Sequence, residues 1–362
     1  MTRWTDRRIL DLFGIELPIV QAPMAGATTV DMVVAASNAG GLGSLPSAQL
    51  SVEQLRDALH LIRTATYKPI NVNFFSHVPP HDDAAVQLRW RAILAPYFFE
   101  MGLDPSTPTS GRARAPFDEL FCEVVEEFKP NVVSFHFGLP EISLVNRVKA
   151  TGAKVISSAT TVEEALWLEV NGVDAIIAMG FEAGGHRGNF LMDDMSTQVG
   201  TMALVPQIVD TVKVPVIAAG GISDGRGMAA ALMLGASAVQ IGTAYLFCPE
   251  AKIPAVHAAA LDSAGDDSTA ITNVFTGRPA RGVINRIMRE LGPISKSVPP
   301  FPTAAAALGA IRAKAEASGR DDFTNLWSGQ AARLAARLPA GELTRRLLDE
   351  ALAVLDNRTG RS

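Results

Sequence analysis

The chain has 362 residues, 48% of them hydrophobic and 19% charged, which suits a globular fold with a sizeable core and excludes a disordered or fibrous one. A net charge of −5 and a pI near 5.7 leave no basic stripe for nucleic acid, and two cysteines, Cys122 and Cys248, offer neither a disulfide framework nor metal-ligand spacing. With no signal-peptide pattern in MTRWTDRRILDLFG and no apolar run of roughly 18 residues, a cytoplasmic protein without metal or membrane contact is expected.

A first strand is expected over Pro18–Met24, ending in Ala22-Pro23-Met24, and a helix over Asp31–Ala39 closed by Gly40-Gly41. Leu42–Leu45 reads as the second strand, and Ser51–Ala65 as a helix opened by Ser51 and Gln54 in capping-box spacing. In the third strand, Ile70–Phe75, a period of two puts Asn71 and Asn73 on one face. Residues 77–116 then break the pattern with Pro79, Pro80, Pro96, Pro105, Pro108, a basic Arg112–Arg114 patch and one amphipathic helix around Ala84–Met101. A connection this long is usually functional or mobile, so it is either an excursion over one end of the fold or a solvated surface insertion.

The alternation resumes with a helix over Asp118–Phe128, a fourth strand over Asn131–Phe137 and a helix over Glu141–Ala150. Lys154–Ala159 is the fifth strand, and Thr161–Val170 a helix with Thr161 and Glu164 in capping-box spacing. Ala175–Met179, Val214–Ala219 and Ala238–Ile241 complete eight strands. Eight strand–helix alternations suit a (β/α)8 TIM-type barrel, with residues 1–248 as barrel and 77–116 as an insertion after strand three. A doubly wound open sheet is the rival, but its GxGxxG fingerprint and acidic ribose ligand are missing after strand one. Beyond Pro249 the sequence is alanine-rich without strand alternation, so residues 249–362 are expected to be a C-terminal helical segment. It contains a basic turn over Thr276–Gly282, a linker over Ser297–Pro302 and a helix pair over Phe323–Leu352, and forms either a lid over the barrel mouth or a buttress.

Three apolar runs between Asp174 and Phe247 stop at glycines. Gly220-Gly221 and Gly242-Thr243 follow strands seven and eight, where barrels of this kind hold phosphate and where free backbone N–H groups cradle an anion. Tight turning into a following helix would also account for glycine at such positions. The loop Gly184-Gly185-His186-Arg187-Gly188 places one titratable ring beside that cradle, and a near-neutral imidazole suits proton abstraction from a weak carbon acid. His136 lies on strand four, with Phe135 and Phe137 expected to point the other way, and is either a core histidine or a donor to an anionic substrate. His60, His77, His81 and His257 have no supporting context.

Together, QAPMAG (Gln21–Gly26), NAGGLGS (Asn38–Ser44), INVNFF, SFHFG, EAGGHRG, AAGGISDGRG (Ala218–Gly227), QIGT (Gln240–Thr243) and Trp327-Ser328-Gly329-Gln330 resemble the nitronate monooxygenases, formerly called 2-nitropropane dioxygenases. The likeness spans nearly the whole chain and is closer to the nitronate-oxidising subgroup than to the related flavin enoyl-acyl-carrier-protein reductases. It implies FMN at the strand ends, with Ala22, Pro23 and Met24 lining the isoalloxazine and Asn73 hydrogen-bonding its polar edge. Gly184, Gly221 and Gln240, Ile241, Gly242 and Thr243 would hold the ribityl phosphate, together with the Gly220 turn; His186 would be catalytic and His136 a pocket histidine. The implied reaction is oxidation of an alkyl nitronate such as propionate 3-nitronate by O2 to a carbonyl compound and nitrite, through a flavin semiquinone. The alternative is an NAD(P)H-dependent flavin reductase of the enoyl-thioester type. Two departures stand out: Met179 replaces a glutamine beside the flavin, and Pro302, Thr303 and Ala304 stand where related enzymes place tyrosines over the pocket.

Overall fold

The computed structural model describes residues 6–81, 83–106 and 114–359. Among them are strands β1 (Ile19–Gln21), β2 (Gly43–Pro46), β3 (Ile70–Phe75), β4 (Val132–His136), β5 (Lys154–Ala159), β6 (Ala175–Met179), β7 (Gly185–His186), β8 (Val216–Ala219), β9 (Ala238–Ile241), β10 (Thr269–Thr272) and β11 (Ala280–Val283). Eight of these form one parallel sheet in the order β1-β9-β8-β6-β5-β4-β3-β2. Hydrogen bonds from Gln21 N to Leu42 O and from Leu42 N to Ile19 O, both 2.9 Å, join its two edges. The sheet is therefore a closed (β/α)8 barrel, as the alternation predicts, and closure leaves no strand edge exposed.

Its strands are short and almost wholly buried because helices cover one face and side chains fill the other. The N-terminal end of the interior is apolar: Val20, Val132, Ile156 and Ile217 pack against Ile9, Leu10 and Phe13 of the helix Arg8–Phe13, which plugs the barrel floor. Toward the C-terminal end the interior turns polar, with Gln21, Ser44, Asn71, Asn73 and Ser134 all buried. Among the described residues no helix is long and apolar enough to cross a membrane.

Local expectations fare differently. The Ser51–Gln54 capping box forms. At Thr161 only half of the box appears: its side chain accepts from Glu164 N, but the buried Glu164 carboxylate turns elsewhere. That carboxylate accepts from Thr160 N (2.6 Å), Phe190 N (2.6 Å) and Leu191 N (3.2 Å), tying down the loop beyond His186. The first strand stops at Gln21, leaving Ala22–Met24 as a loop at the barrel mouth.

The C-terminal segment departs furthest from the purely helical expectation. β10 and β11 form an antiparallel hairpin, and β11 pairs with β7, Ala280 opposite His186. Four-residue strands such as TAIT and ARGV, the second holding a glycine, are too short to show a period of two. The helix pair expected over Phe323–Leu352 is instead irregular chain, a short 3-10 turn (Ala332–Leu334) and one helix, Ala340–Thr359, that starts after Pro339. Leu343, Leu347, Leu348 and Ala351 of that helix pack into the barrel's outer layer against the helices Val30–Asn38 and Gly225–Met233. The division at residue 248 therefore does not separate two packing units.

The insertion is not a solvated loop. Its helix Ala84–Glu100 buries Trp90, Leu94 and Phe98 against Val274, Ile287 and Ile311 of the C-terminal segment. Arg286 (2.8 Å) and Arg320 (2.9 Å) donate to the Glu100 carboxylate and hold its pKa down at about 2. Asp82 and residues 107–113, with Pro108 and Arg112 of the proline-rich basic stretch, lie outside the described residues.

Candidate active site

The polar layer inside the barrel is a connected network. Ser44 N donates to Gln21 Oε1 (2.9 Å), Asn71 Nδ2 donates to Ser44 Oγ (3.0 Å) and Ser134 Oγ (2.9 Å), and Asn73 Nδ2 donates to Ser134 Oγ (2.9 Å). Asn71 and Asn73 thus share the inward face, as their spacing predicts. On β9, the strand paired with β1, the Gln240 side-chain oxygen is buried without a hydrogen-bond partner among the described residues. An orphaned buried acceptor costs about 1–3 kcal/mol, so this position fits a ligand that donates a hydrogen bond.

Above this layer the strand-end loops meet. A Cβ built on Gly242 would stand 3.6 Å from Ala22 Cβ and 3.8 Å from Met24 Sδ, so the loops after β1 and β9 are neighbours. Pro23 lies between, half-buried. Ile241 turns its side chain outward into the helical layer and could serve a ligand only through its backbone. Gly220 and Gly221 have φ of +113° and +70°, values that side chains other than glycine rarely adopt, and the Gly221 N–H donates to no described residue.

Gly184 touches Gly329 backbone to backbone: a Cβ on Gly184 would lie 2.5 Å from Gly329 N, which itself donates to Thr243 Oγ1 (2.9 Å). The Trp327–Gln330 element thereby clamps the loops after β6 and β9 together. These turns border a cavity of about 430 Å³ lined by Glu182, Thr201, Gly220, Gly221 and Gln330. The nearby helix Thr201–Val209 is not open to an anion, because the Glu182 carboxylate already accepts from Thr201 N (2.8 Å) and Thr201 Oγ1 (2.8 Å). The Gly220-Gly221 turn, whose Gly221 N–H has no partner among the described residues, is the better candidate for holding an anion.

His186 sits on β7, which the C-terminal strand β11 holds in place. Its Nε2 is 2.9 Å from Thr276 Oγ1, and that hydroxyl also lies 3.4 Å from the Arg278 carbonyl. With Thr276 donating to that carbonyl, the imidazole donates through Nε2 and keeps its lone pair on Nδ1. His136 Nε2 donates to the His186 carbonyl (3.1 Å), and Ser158 Oγ lies 2.7 Å from His136 Nδ1. Both nitrogens of His136 are thus committed, and its work is to hold the His186 backbone. Buried Arg187, next in the chain, donates to the carbonyls of Met179 (2.9 Å) and Gly180, fixing the other flank of the loop.

Phe137 does not point away from His136. Its backbone takes φ +74°, an unusual value for a bulky residue, and turns the ring into the pocket 4.5 Å from the His136 ring and 6.0 Å from that of His186. Phe301 (5.3 Å) and Trp327 (5.5 Å) complete the wall around His186. Phe301 supplies aromatic cover although the following residues lack tyrosine. Sequence reasoning also missed Thr276, Arg278 and His77, whose ring lies 4.8 Å from Phe301. The basic turn was visible, but nothing in it indicated contact with a loop 90 residues earlier.

The pocket is electropositive. Burial, then Arg114, His136, Arg278 and His77, push His186 well below the usual imidazole range, so it is not the near-neutral base expected from the loop alone. Burial, with Arg278 and a second arginine, lowers His77 (Arg114) and His136 (Arg187) from 6.5 to about 4. The folded protein therefore prefers these rings neutral: their contribution to stability is complete above pH 6.5 and is lost as pH falls toward 4. The loss is expected to approach about 3 kcal/mol per ring by pH 4. Urea midpoints at pH 7 and 4.5 check this: His77→Gln should flatten the fall, and a midpoint that does not move with pH would contradict it.

A closed parallel barrel with its polar groups and a buried histidine gathered at the C-terminal mouth defines a barrel enzyme. The profile of the nitronate monooxygenase family matches residues 6–350. Nitronate monooxygenase from Pseudomonas aeruginosa is 42% identical over 348 residues, covering 96% of this chain and 99% of that protein. Nitroalkane oxidase from Streptomyces ansochromogenes superposes with a TM-score of 0.87 at 35% identity, covering 98% of this chain and 100% of the other. FabK from Thermotoga maritima gives a TM-score of 0.74 at 30% identity, covering 98% and 99%. The chain belongs to the nitronate monooxygenase family and is an oxidoreductase.

Proposed function

We propose that the protein binds FMN at the barrel mouth and oxidises alkyl nitronates, propionate 3-nitronate among them, with O2 to a carbonyl compound and nitrite. Ala22, Pro23, Met24 and Asn73 would line the isoalloxazine, and the unpaired Gln240 oxygen would accept from the cofactor. Gly184, Gly220, Gly221, Ile241, Gly242 and Thr243 would hold the ribityl phosphate through backbone groups. When bound, the flavin supplies the electron transfer between nitronate and oxygen.

The observation that carries this reading is the charge around His186. After burial, the charges that act most strongly on His186 are those of Arg114 and Arg278, and no carboxylate is among its leading influences. Such a pocket attracts an anion. It also makes His186 a weak proton acceptor before an anion arrives, which disfavours a neutral nitroalkane and favours a substrate that has already lost its α-proton. Thr276 and His136 fix the ring and its backbone, so His186, once protonated at Nδ1, can donate to the nitronate.

Anaerobic mixing of the FMN-loaded protein tests the reading. Ethyl nitronate is expected to bleach the bound flavin, and NADH or NADPH is not. Rapid bleaching by the nicotinamide alone would assign a flavin reductase instead.

A further inference from the structure

Arg278 and His77 hold polar atoms that the fold does not satisfy. Arg278 Nε and His77 Nδ1 are buried without a hydrogen-bond partner among the described residues. The guanidinium of Arg278 stacks 4.0 Å from the Phe137 ring centroid and gives a hydrogen bond to the Asn189 carbonyl, but it forms no ion pair with any described carboxylate. The Phe137 ring it covers lies 6.0 Å from His186 and 6.3 Å from His77, so both rings flank the same wall. Arg114, at the end of the insertion, adds a second permanent charge that acts on His77 and His186 and likewise has no carboxylate partner among the described residues.

Asp193 and Glu164 act on Arg278 without pairing with it, and no described carboxylate acts on Arg114, so a substrate with one negative charge leaves buried cationic charge only partly compensated. We propose that Arg278 and His77 form a second anion subsite beside His186, which takes a carboxylate carried by the nitronate substrate. The planar guanidinium suits a carboxylate, which it can grip with two parallel N–H groups, and neutral His77 can give a further hydrogen bond. The substrate then lies with its nitronate end toward His186 and its carboxylate against the Phe137–Phe301 wall. This rests on the nitronate reading above and adds the residues that select among nitronates.

The test uses FMN-loaded protein and two readouts. In calorimetry, wild type should bind propionate and not propionamide, and Arg278→Gln should weaken propionate binding by at least about tenfold, with Arg278→Lys in between. In turnover, Arg278→Gln should lower kcat/KM for propionate 3-nitronate by about 30-fold or more, chiefly through KM, and for ethyl nitronate by much less. His77→Asn should show the same bias more weakly and serves if the arginine variants fail to fold. Equal losses on both nitronates, or equal binding of propionate and propionamide, would overturn the subsite. The binding arm needs no turnover, so absence of nitrite from every nitronate would reject the nitronate reading and still leave the subsite decided.

Discussion

Gly221→Asp is expected to lose FMN, while Gly221→Asn retains most of it. Gly221 has φ +70°, and a Cβ there would stand 3.3 Å from Glu182 Cβ, so either substitution strains the turn to a similar degree. Asparagine and aspartate both tolerate this left-handed conformation better than other side chains, which makes the pair a fair comparison. Only aspartate brings a charge, beside Glu182 and into the turn proposed for the phosphate. Like unit charges about 4 Å apart repel by about 4 kcal/mol at an effective dielectric of about 20, close to a thousandfold in affinity. Flavin fluorescence titration of the two variants reads the difference. Equal FMN affinity for both would remove the phosphate from this turn.

His186→Asn should separate proton transfer from positioning. Asparagine retains a hydrogen-bonding group near Thr276 but cannot act as a base. A neutral nitroalkane must lose its α-proton, and a positioned base contributes about 10² to 10⁴-fold to such a step. Burial and the nearby arginines already weaken His186 as a base, so nitroethane oxidation in the variant should fall by well under that range, and ethyl nitronate turnover by less still. Equal losses would assign His186 to holding substrate or cofactor alone. No loss with either would leave it outside the reaction.

The barrel was legible because parallel strands are buried on both faces, and apolar runs such as Ala175–Met179 and Val214–Ala219 state that plainly. Gly185, Gly220 and Gly221 were legible because few side chains tolerate their positive φ. What the sequence concealed depends on long-range packing. β11 pairs with His186 across almost a hundred residues, and Phe137 enters the pocket only because its backbone turns to φ +74°. The depressed basicity of His186 also could not be read locally, because it follows from burial and from Arg114 and Arg278, which lie far along the chain. His77 has no supporting context in the sequence, and its place in the pocket wall follows only from the rings around it.

The central claim is that this pocket takes a preformed nitronate. Nitrite release under air by the wild-type FMN-loaded protein, measured in parallel with ethyl nitronate and with freshly dissolved nitroethane, tests it most directly. The electropositive pocket and weakly basic His186 predict a kcat/KM for the nitronate at least about 100-fold higher, the scale of one unassisted proton removal. Equal or faster turnover of nitroethane would contradict the account.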